Sequence, residues 1–247
     1  MAAPARVALV TGSTSGIGAA VARRLAADGF TVALHSRASV DAGRALASTL
    51  GNASYTQADL ASEDDTRRLV QQVLERHGRL DVLVNNAAVT RVIPHRDLAA
   101  ATPAVWRALY DVNVVAPWVL VTEAEAALRR AAADGRPAAI VNVSSHAGVR
   151  PKGGSIPYAA SKAALNHVTR LLAIALAPAI RVNAVAPGLV DTPMTADWTE
   201  VQALWRERSP MRRSARPEEI ADVVAMVIGS DYLTGEVIVA DGGLNLT

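Results

Sequence analysis

The stretch TGSTSGIG, residues 11–18, joins a short apolar run to an alanine-rich amphipathic segment. Its glycines are Gly12, Gly16 and Gly18, a G-x-x-x-G-x-G spacing. Glycine permits a positive φ and a close backbone approach to a ligand, and the amides at a helix N-terminus attract phosphate. The spacing indicates a dinucleotide-binding loop, and no Gly-Lys-Ser/Thr ending follows that would suit a P-loop. A glycine-rich turn without a ligand is the alternative at this point.

Short β-branched runs alternate with amphipathic helical patterns along the chain. Strands are predicted at 7–11, 31–36, 53–58, 80–86, 138–145, 180–187 and 236–243, and helices around 17–28, 40–50, 62–77, 103–133, 156–177 and 217–229. Nearly continuous apolar strands are typical of a parallel sheet covered by helices on both faces. The pattern predicts an α/β fold: a Rossmann-type doubly wound, seven-stranded, mainly parallel sheet in a single domain over residues 1–247. Two smaller domains are the weaker alternative.

Composition excludes several classes of protein. The net charge is +2 with both signs interspersed, which disfavours a nucleic-acid partner. The absence of cysteine excludes disulfides, thiolate metal sites and a cysteine nucleophile. The five histidines do not cluster as metal ligands, so we predict no metal. Because the sequence shows neither a signal-peptide pattern nor a membrane-length span, we expect a soluble cytoplasmic protein without a membrane partner.

A second motif, PYAASKAAL at residues 157–165, places Tyr158 and Lys162 four residues apart on one helix face. A phenol with a pKa near ~10 is a poor proton shuttle unless an ammonium stabilises the phenolate. Ser145, just past the fifth predicted strand, could donate a hydrogen bond to a carbonyl oxygen. An arbitrary Tyr-x-x-x-Lys pair is more often exposed helix surface. Its combination with the glycine loop and Ser145 favours acid/base catalysis of carbonyl reduction or alcohol oxidation.

Several motifs follow one another in register: TGSTSGIG, NNAA at 85–88, DVNVVAP at 111–117, SSHAG at 144–148, the Tyr-Lys pair, and APGLVDT at 186–192. Over essentially its whole length the chain resembles the short-chain dehydrogenase/reductase family, particularly its members similar to 3-oxoacyl-[acyl-carrier-protein] reductases. The resemblance implies a catalytic tetrad. Tyr158 is the acid/base and Ser145 orients the carbonyl. Lys162 lowers the Tyr158 pKa and holds the nicotinamide ribose, and Asn113 supports a proton-relay water.

The residues and the resemblance together predict a cofactor-binding set. It comprises Gly12, Ser13, Thr14, Ser15, Gly16, Ile17, Gly18, Ser36, Arg37, Asp59, Leu60, Asn85, Asn86, Ala87, Tyr158, Lys162, Pro187, Gly188, Val190 and Thr192. The resemblance implies that Asp59 contacts adenine, that the segment 85–86 lines the adenosine site, and that Val190 and Thr192 meet the carboxamide. A turn or capping role before the helix near Ser62 is the alternative for Asp59.

The end of the second predicted strand, LHSR at residues 34–37, bears on which dinucleotide binds. A carboxylate at that place binds the ribose 2′-hydroxyl of NAD. Ser36 stands there instead, and Arg37 follows with a guanidinium that can hold a phosphate at two points. The sequence therefore predicts NADP(H). The alternative is a surface arginine and an enzyme that takes either cofactor, since Ser15 is not the basic residue often found there in NADP-preferring relatives.

The predicted function is an NADP(H)-dependent oxidoreductase that interconverts a small-molecule ketone and a secondary alcohol. Within enzymes, a 3-oxoacyl-thioester reductase and dehydrogenases of sugars or polyols, steroids or polyketides stay open. A non-catalytic dinucleotide sensor is the alternative from another class, and the complete tetrad argues against it. Residues 193–213 are predicted to form a substrate lid, because two tryptophans and two methionines alternate there with charged residues.

The helix predicted from Pro103 is apolar on two sides, more than a stripe facing a sheet requires. One side carries Trp106, Tyr110, Val114 and Trp118, and the other carries Val105, Leu109, Val112 and Ala116. The resemblance suggests a homotetramer, a dimer of dimers, with this helix, the Tyr158 helix and the C-terminal strand at its interfaces. Arg129 and Arg130 could meet an acidic acyl-carrier protein, although solvated side chains that complement the helix C-terminus are the favoured alternative.

Overall fold

The computed structural model describes residues 5–247, in which seven strands form one sheet. The strands are β1 (Val7–Val10), β2 (Thr31–Ser36), β3 (Ala53–Gln57), β4 (Val82–Asn85), β5 (Ala138–Val143), β6 (Ile180–Pro187) and β7 (Val237–Ala240). Their order is β3-β2-β1-β4-β5-β6-β7, and each neighbouring pair is parallel. The predicted Rossmann-type fold is confirmed, and within the described residues the sheet is wholly parallel.

Helices cover both faces of this sheet. They are α1 (Gly16–Ala27), α2 (Val40–Leu50), α3 (Glu63–His77), α4 (Pro103–Tyr110), α5 (Ala116–Ala132), α6 (Ile156–Leu176), α7 (Thr199–Arg208) and α8 (Pro217–Gly229). A π-helical turn, Asp111–Val115, joins α4 to α5. Helix α7 lies inside the predicted lid and was not predicted, because its sequence is mostly polar and carries little helical periodicity.

The side chains of β1 divide the core into two layers. Val7 and Leu9 pack with residues of α3, α5 and α6 on one face of the sheet. Ala8 and Val10 pack with residues of α1, α2 and α8 on the other face. Since both faces of the strand are buried, its sequence is continuously apolar rather than alternating.

Strand β1 is also the point where the strand order reverses, with β2 on one side and β4 on the other. Open α/β sheets bind ligands in the crevice that forms at the carboxyl ends of the strands at such a point. The glycine loop follows β1, and the loops after β4 and β5 open at the same edge. The topology therefore brings the sequence motifs to one side of the molecule.

The segment Pro103–Ala132 departs from the expectation that no part of the chain has membrane length. It is 30 residues long, with a mean hydropathy of 1.2 in its most apolar window, enough by length and composition to cross a membrane. Its inner face packs in the core through residues such as Leu120, Ala124 and Leu128. Core helices that cover a sheet pass the same test, so the segment is weak evidence for a membrane span.

Candidate active site

A cleft of about 500 Å³ runs along the carboxyl edge of the sheet. The predicted site residues that line it are Gly12, Thr14, Ser15, Gly16, Ile17, Gly18, Ser36, Arg37, Asp59, Leu60, Asn86, Ala87, Tyr158, Lys162 and Thr192. Lining residues that were not predicted are His35, Ser39, Ala88, Val89, Val112, Val143, Ser144, Pro193 and Met194. The structure thus joins the glycine loop, the end of β2 and the Tyr158 helix in one continuous groove.

The glycine loop can be built only from glycines at three positions. Gly12 and Gly16 have φ of +62° and +49°. A Cβ at Gly12 would lie 2.9 Å from the Cα of Ala87, and one at Gly18 would lie 2.3 Å from the oxygen of Gly12. At Gly16 it would meet Thr192 Cγ2 at 3.0 Å. The loop is therefore a tight cradle that opens α1 with main-chain amides, which fits the pyrophosphate of a dinucleotide.

Hydrogen bonds from neighbouring strand ends hold this loop in place. The hydroxyl of Thr11 accepts from the main-chain N–H groups of Asn86 and Ala87, both at 3.0 Å. The side-chain amide of Asn86 donates to the oxygen of Thr11 at 2.8 Å. Ser13 and His35 are joined by two bonds of 2.9 Å, from the N–H of Ser13 to the oxygen of His35 and from the N–H of His35 to Ser13 Oγ. The cradle is preformed.

His35 is a part of the cleft that the sequence motifs do not include. Its Nδ1 accepts from the N–H of Gly12 at 3.1 Å, and its Nε2 lies 3.0 Å from the oxygen of Ala58. Because Nδ1 accepts, Nε2 carries the proton and the ring is neutral. Burial lowers the pKa of His35. Its position in the sequence, two residues before Arg37 at the end of a predicted strand, could have indicated that it lies in the cleft.

The residues predicted to choose the cofactor lie at the far end of the groove from Tyr158. Arg37 is exposed, and its guanidinium makes no ion pair within residues 5–247. The hydroxyl of Ser36 lies 2.9 Å from that of Tyr55. Asp59 accepts from the N–H of Ala61 at 3.0 Å, which is the turn role considered as its alternative, while it also lines the cleft.

At the opposite end, helix α6 presents Tyr158 beside Ser145. The helix begins at the N-cap Ser155, whose hydroxyl accepts from the N–H of Tyr158 at 3.3 Å. Burial raises the pKa of Tyr158, and the neighbouring Ser145 side chain acts in the opposite direction. The effect of Lys162 on the Tyr158 pKa stays a prediction.

Lys162 is buried one turn further along α6. Its Nζ donates to the main-chain oxygen of Val143 at 2.8 Å and lies 6.0 Å from the centroid of the Tyr158 ring. Burial lowers the pKa of Lys162 to about 8. The ammonium is thus fixed at the end of β5, in the same cleft as the phenol.

Asn113 lies in the π-helical turn and does not line the cleft. Its Oδ1 accepts from the N–H of Val89 at 2.9 Å, and its Nδ2 donates to the oxygen of Val89 at 3.0 Å and to Ser161 Oγ at 3.1 Å. Both amide protons are used in this way. The side chain therefore anchors the loop after β4 to helix α6, and the support of a proton-relay water that the resemblance implies stays a prediction.

Asn85 and Gly188, two residues of the predicted cofactor set, are not among the residues that line the cleft. The amide of Asn85 is buried and donates to Asn142 Oδ1 at 2.8 Å. A Cβ at Gly188 would lie 2.7 Å from Trp205 Cζ2, so this glycine packs against helix α7. The other predicted site residues outside the lining are Ser13, Ser145, Pro187 and Val190. Ser13 is buried in the anchored loop, Ser145 caps the turn His146–Gly148, and Pro187 and Val190 are buried at or just after the end of β6.

The chain is similar to several known proteins over nearly its whole length. A family model described as Enoyl-(Acyl carrier protein) reductase matches residues 12–245. The "Granaticin polyketide synthase putative ketoacyl reductase 2" of Streptomyces violaceoruber is 49% identical over 98% of this chain and 97% of that protein. The human "Dehydrogenase/reductase SDR family member 4" is 39% identical over 96% of this chain and 87% of that protein. The chain belongs to the short-chain dehydrogenase/reductase family.

Solved short-chain dehydrogenases/reductases share the whole fold. A Burkholderia cenocepacia J2315 short chain dehydrogenase in complex with NADP superposes with a TM-score of 0.89 at 37% identity, over 98% of both chains. The Pseudomonas aeruginosa RhlG/NADP active-site complex has a TM-score of 0.90 at 34% identity, covering 98% of this chain and 96% of that one. The protein is therefore an oxidoreductase of this family, and it has the family's dinucleotide-binding fold.

Proposed function

We propose that this short-chain dehydrogenase/reductase is an NADP(H)-dependent enzyme that interconverts a ketone and a secondary alcohol, with Tyr158 as the acid/base. The observation that carries the proposal is that Tyr158 and Lys162 line the same cleft as the glycine loop and Arg37, with Ser145 beside Tyr158. Two hydroxyls beside a dinucleotide cleft suit a carbonyl oxygen that must be polarised and protonated.

Different residues of the chain suit different parts of the cofactor. The amides of the glycine loop suit the pyrophosphate, and Arg37 suits the 2′-phosphate, because its guanidinium is exposed at the end of β2. Lys162 provides a donor near the reacting end. Two solved relatives hold NADP, which supports the same cofactor for this chain. When bound, NADPH supplies a hydride.

The proton chemistry follows from the surroundings of Tyr158. Since burial raises its pKa, the phenol is protonated at neutral pH and can act as a proton donor. In reduction the carbonyl carbon gains a hydride, and the oxygen gains the proton of the Tyr158 hydroxyl. The Ser145 hydroxyl donates a hydrogen bond that stabilises negative charge, and the Lys162 ammonium lies in the same low-dielectric site. The phenolate that remains recovers its proton from solvent.

Among substrates, a 3-oxoacyl thioester of the polyketide type has the best support, because the relative at 49% identity is named a ketoacyl reductase. The family model's description names an enoyl substrate, so an enoyl thioester belongs in the same test. Sugars or polyols and steroids are the other classes. The test follows NADPH absorbance with a panel of 3-oxoacyl and enoyl thioesters, simple ketones and sugars. Turnover of the 3-oxoacyl thioester supports the proposal, whereas binding of NADPH without any turnover favours a dinucleotide sensor.

We also propose a homotetramer. Large apolar side chains stand exposed on α5 and α6, with Trp118 51% and Ile174 81% exposed. Leu109 and Ala116, expected on a second interface side, are buried in this chain's own fold. Arg129, considered for an acyl-carrier protein, pairs with Glu125 at 2.9 Å on its own helix, which supports the solvated alternative. The cytoplasmic location stays a prediction.

A further inference from the structure

The residue after Ser145 has its side chain in a buried cluster outside the cleft lining. His146 is 4% exposed, and its ring lies edge to face on Trp205 of the lid, with 5.9 Å between centroids and 83° between planes. Its Nε2 lies 3.5 Å from Asp241 Oδ2 and has no hydrogen-bond partner among the described residues. A buried polar atom without a close partner is costly, so its position needs a reason.

Asp241 organises the residues that follow β7, here called the C-terminal turn (residues 241–246). Its Oδ1 accepts from the N–H of Gly243 at 3.0 Å, and its Oδ2 accepts from the N–H of Asn245 at 2.7 Å. Arg150 donates to the main-chain oxygen of Asn245 at 2.6 Å and also contacts its side-chain oxygen. The segment that begins at Ser145 therefore meets the C-terminal turn at two places, His146 and Arg150.

The lid is fastened to the same turn. Trp205 is buried, and a Cβ at Gly188 would lie 2.7 Å from its ring and 2.8 Å from the Cα of Asp241, so these three residues are in close contact. Further along, the N–H of Met211 donates to the oxygen of Gly242 at 3.1 Å. The C-terminal turn thus connects the lid with the segment that carries Ser145.

His146 and Ser145 belong to the same capped turn. Ser145 is the N-cap of the short helical turn His146–Gly148, and its hydroxyl accepts from the N–H of Ala147 at 3.1 Å. The ring of His146 extends from that same turn and contacts Trp205 and Asp241. The residue that packs on Trp205 is therefore the first residue of the turn that Ser145 caps.

We propose that His146 is a positioning residue that sets Ser145 according to the position of the lid, so that lid closure over the correct substrate also aligns the Ser145 hydroxyl. The proposal rests on the function proposed above. Burial, together with Lys152 and Arg150, lowers the pKa of His146 against the opposite effect of Asp241, so the ring is neutral near pH 7. The link is thus packing and a weak polar contact rather than a charge pair.

The test compares His146→Phe, which keeps an aromatic ring but removes Nε2, with His146→Gln, which keeps an N–H donor of similar reach. We expect His146→Phe to lower kcat for ketone reduction roughly 2- to 30-fold, the range for positions that couple two elements, with the KM for NADPH unchanged. His146→Gln should recover much of the loss. His77→Gln is the matched control, because His77 bonds Ser54 at the far edge of the sheet. Its kcat should equal that of the wild type.

A double-mutant cycle with Ser145→Ala distinguishes an effect that acts through Ser145 from a general disturbance of the fold. If His146 acts through Ser145, His146→Phe should cause no further fall in kcat once the Ser145 hydroxyl is gone. Should His146→Phe not fold, Trp205→Phe replaces it, because it loosens the same contact from the lid side. Equal losses with and without Ser145, or an unchanged kcat in a folded variant, would overturn the proposal. Failure of the proposed function appears separately, as a wild type that reduces no ketone, and this inference then fails with it.

Discussion

The Nδ1 atom of His35 accepts a hydrogen bond from the main-chain N–H of Gly12 at 3.1 Å, which ties the end of β2 to the first glycine of the cofactor loop. Only the neutral ring can accept this bond, because both nitrogens donate in the imidazolium. Burial lowers the pKa of His35 in the folded protein, against the weaker effects of Ala58 and Asp59. This one bond to the loop therefore forms only while the ring stays unprotonated.

A pH dependence of cofactor binding follows. As pH falls below the ordinary value of 6.5, unfolded chains take up this proton first, so the stability that depends on a neutral His35 is present above that pH and is lost toward the lower folded-state pKa. We expect the Kd for NADPH to rise in the same acid range. His35→Asn, which can accept from Gly12 without titrating, should flatten the rise, and His167→Asn on the exposed face of α6 should not. Titration calorimetry across this range decides, and an unchanged profile in His35→Asn contradicts the assignment.

Lys162 is predicted to set the alkaline limit of the reaction. Its pKa of about 8 lies below the ordinary 10.5, so its ammonium is present below about pH 8 and is lost above it. We expect kcat/KM for ketone reduction to fall as pH rises through this value. Lys162→Arg keeps a cation at all accessible pH and should move the fall upward, while Lys162→Met should be slow throughout. A fall at the same pH in Lys162→Arg would show that another group sets the limit.

Arg37 is predicted to select NADPH over NADH. A charge-assisted contact contributes roughly 1.5–3 kcal/mol, so Arg37→Leu should raise the KM for NADPH roughly 10- to 100-fold and leave that for NADH nearly unchanged. Adding Ser36→Asp should reverse the preference, because a carboxylate there binds the ribose hydroxyl and repels the phosphate. Arg44→Leu, at an exposed arginine of α2 outside the cleft lining, is the control. A wild type that uses NADH as efficiently as NADPH contradicts the prediction.

The apolar surfaces of α5 and α6 predict self-association. Trp118→Glu and Ile174→Glu each place a charge on an exposed apolar face, so each should yield species smaller than the wild-type tetramer in light scattering. Leu98→Glu is the control, since Leu98 is 70% exposed in the loop before α4. A monomeric wild type at micromolar concentration contradicts the proposed tetramer, and intact tetramers in both helix variants contradict these interfaces.

Local sequence was sufficient where one periodic pattern decides the structure. The apolar runs at 31–36 and 180–187 predicted β2 and β6 with their observed bounds, and the glycine spacing predicted the cradle after β1. Helix α7 was missed because its stability comes from Trp205, which is buried against Gly188 and the C-terminal turn, contacts distant in sequence.

The candidate site shows the same division. Tyr158 and Lys162 share a helix, so their proximity could be predicted from their spacing. The environment of each could not, because the burial that raises the pKa of Tyr158 and lowers that of Lys162 depends on the packing of several elements. The anchoring role of Asn113 likewise depends on Val89 in a loop that sequence patterns do not place.

The central claim is that Tyr158 supplies the proton for carbonyl reduction in a cleft that binds NADPH independently of it. Tyr158→Phe keeps the ring and removes only the hydroxyl. The most direct measurement is the rate of NADPH oxidation by this variant with the best ketone of the panel, alongside its Kd for NADPH. We predict that turnover is abolished while the Kd stays within about twofold of the wild type, because the hydroxyl contributes to the chemistry and little to binding. Ketone reduction by Tyr158→Phe at a rate near that of the wild type would contradict the account.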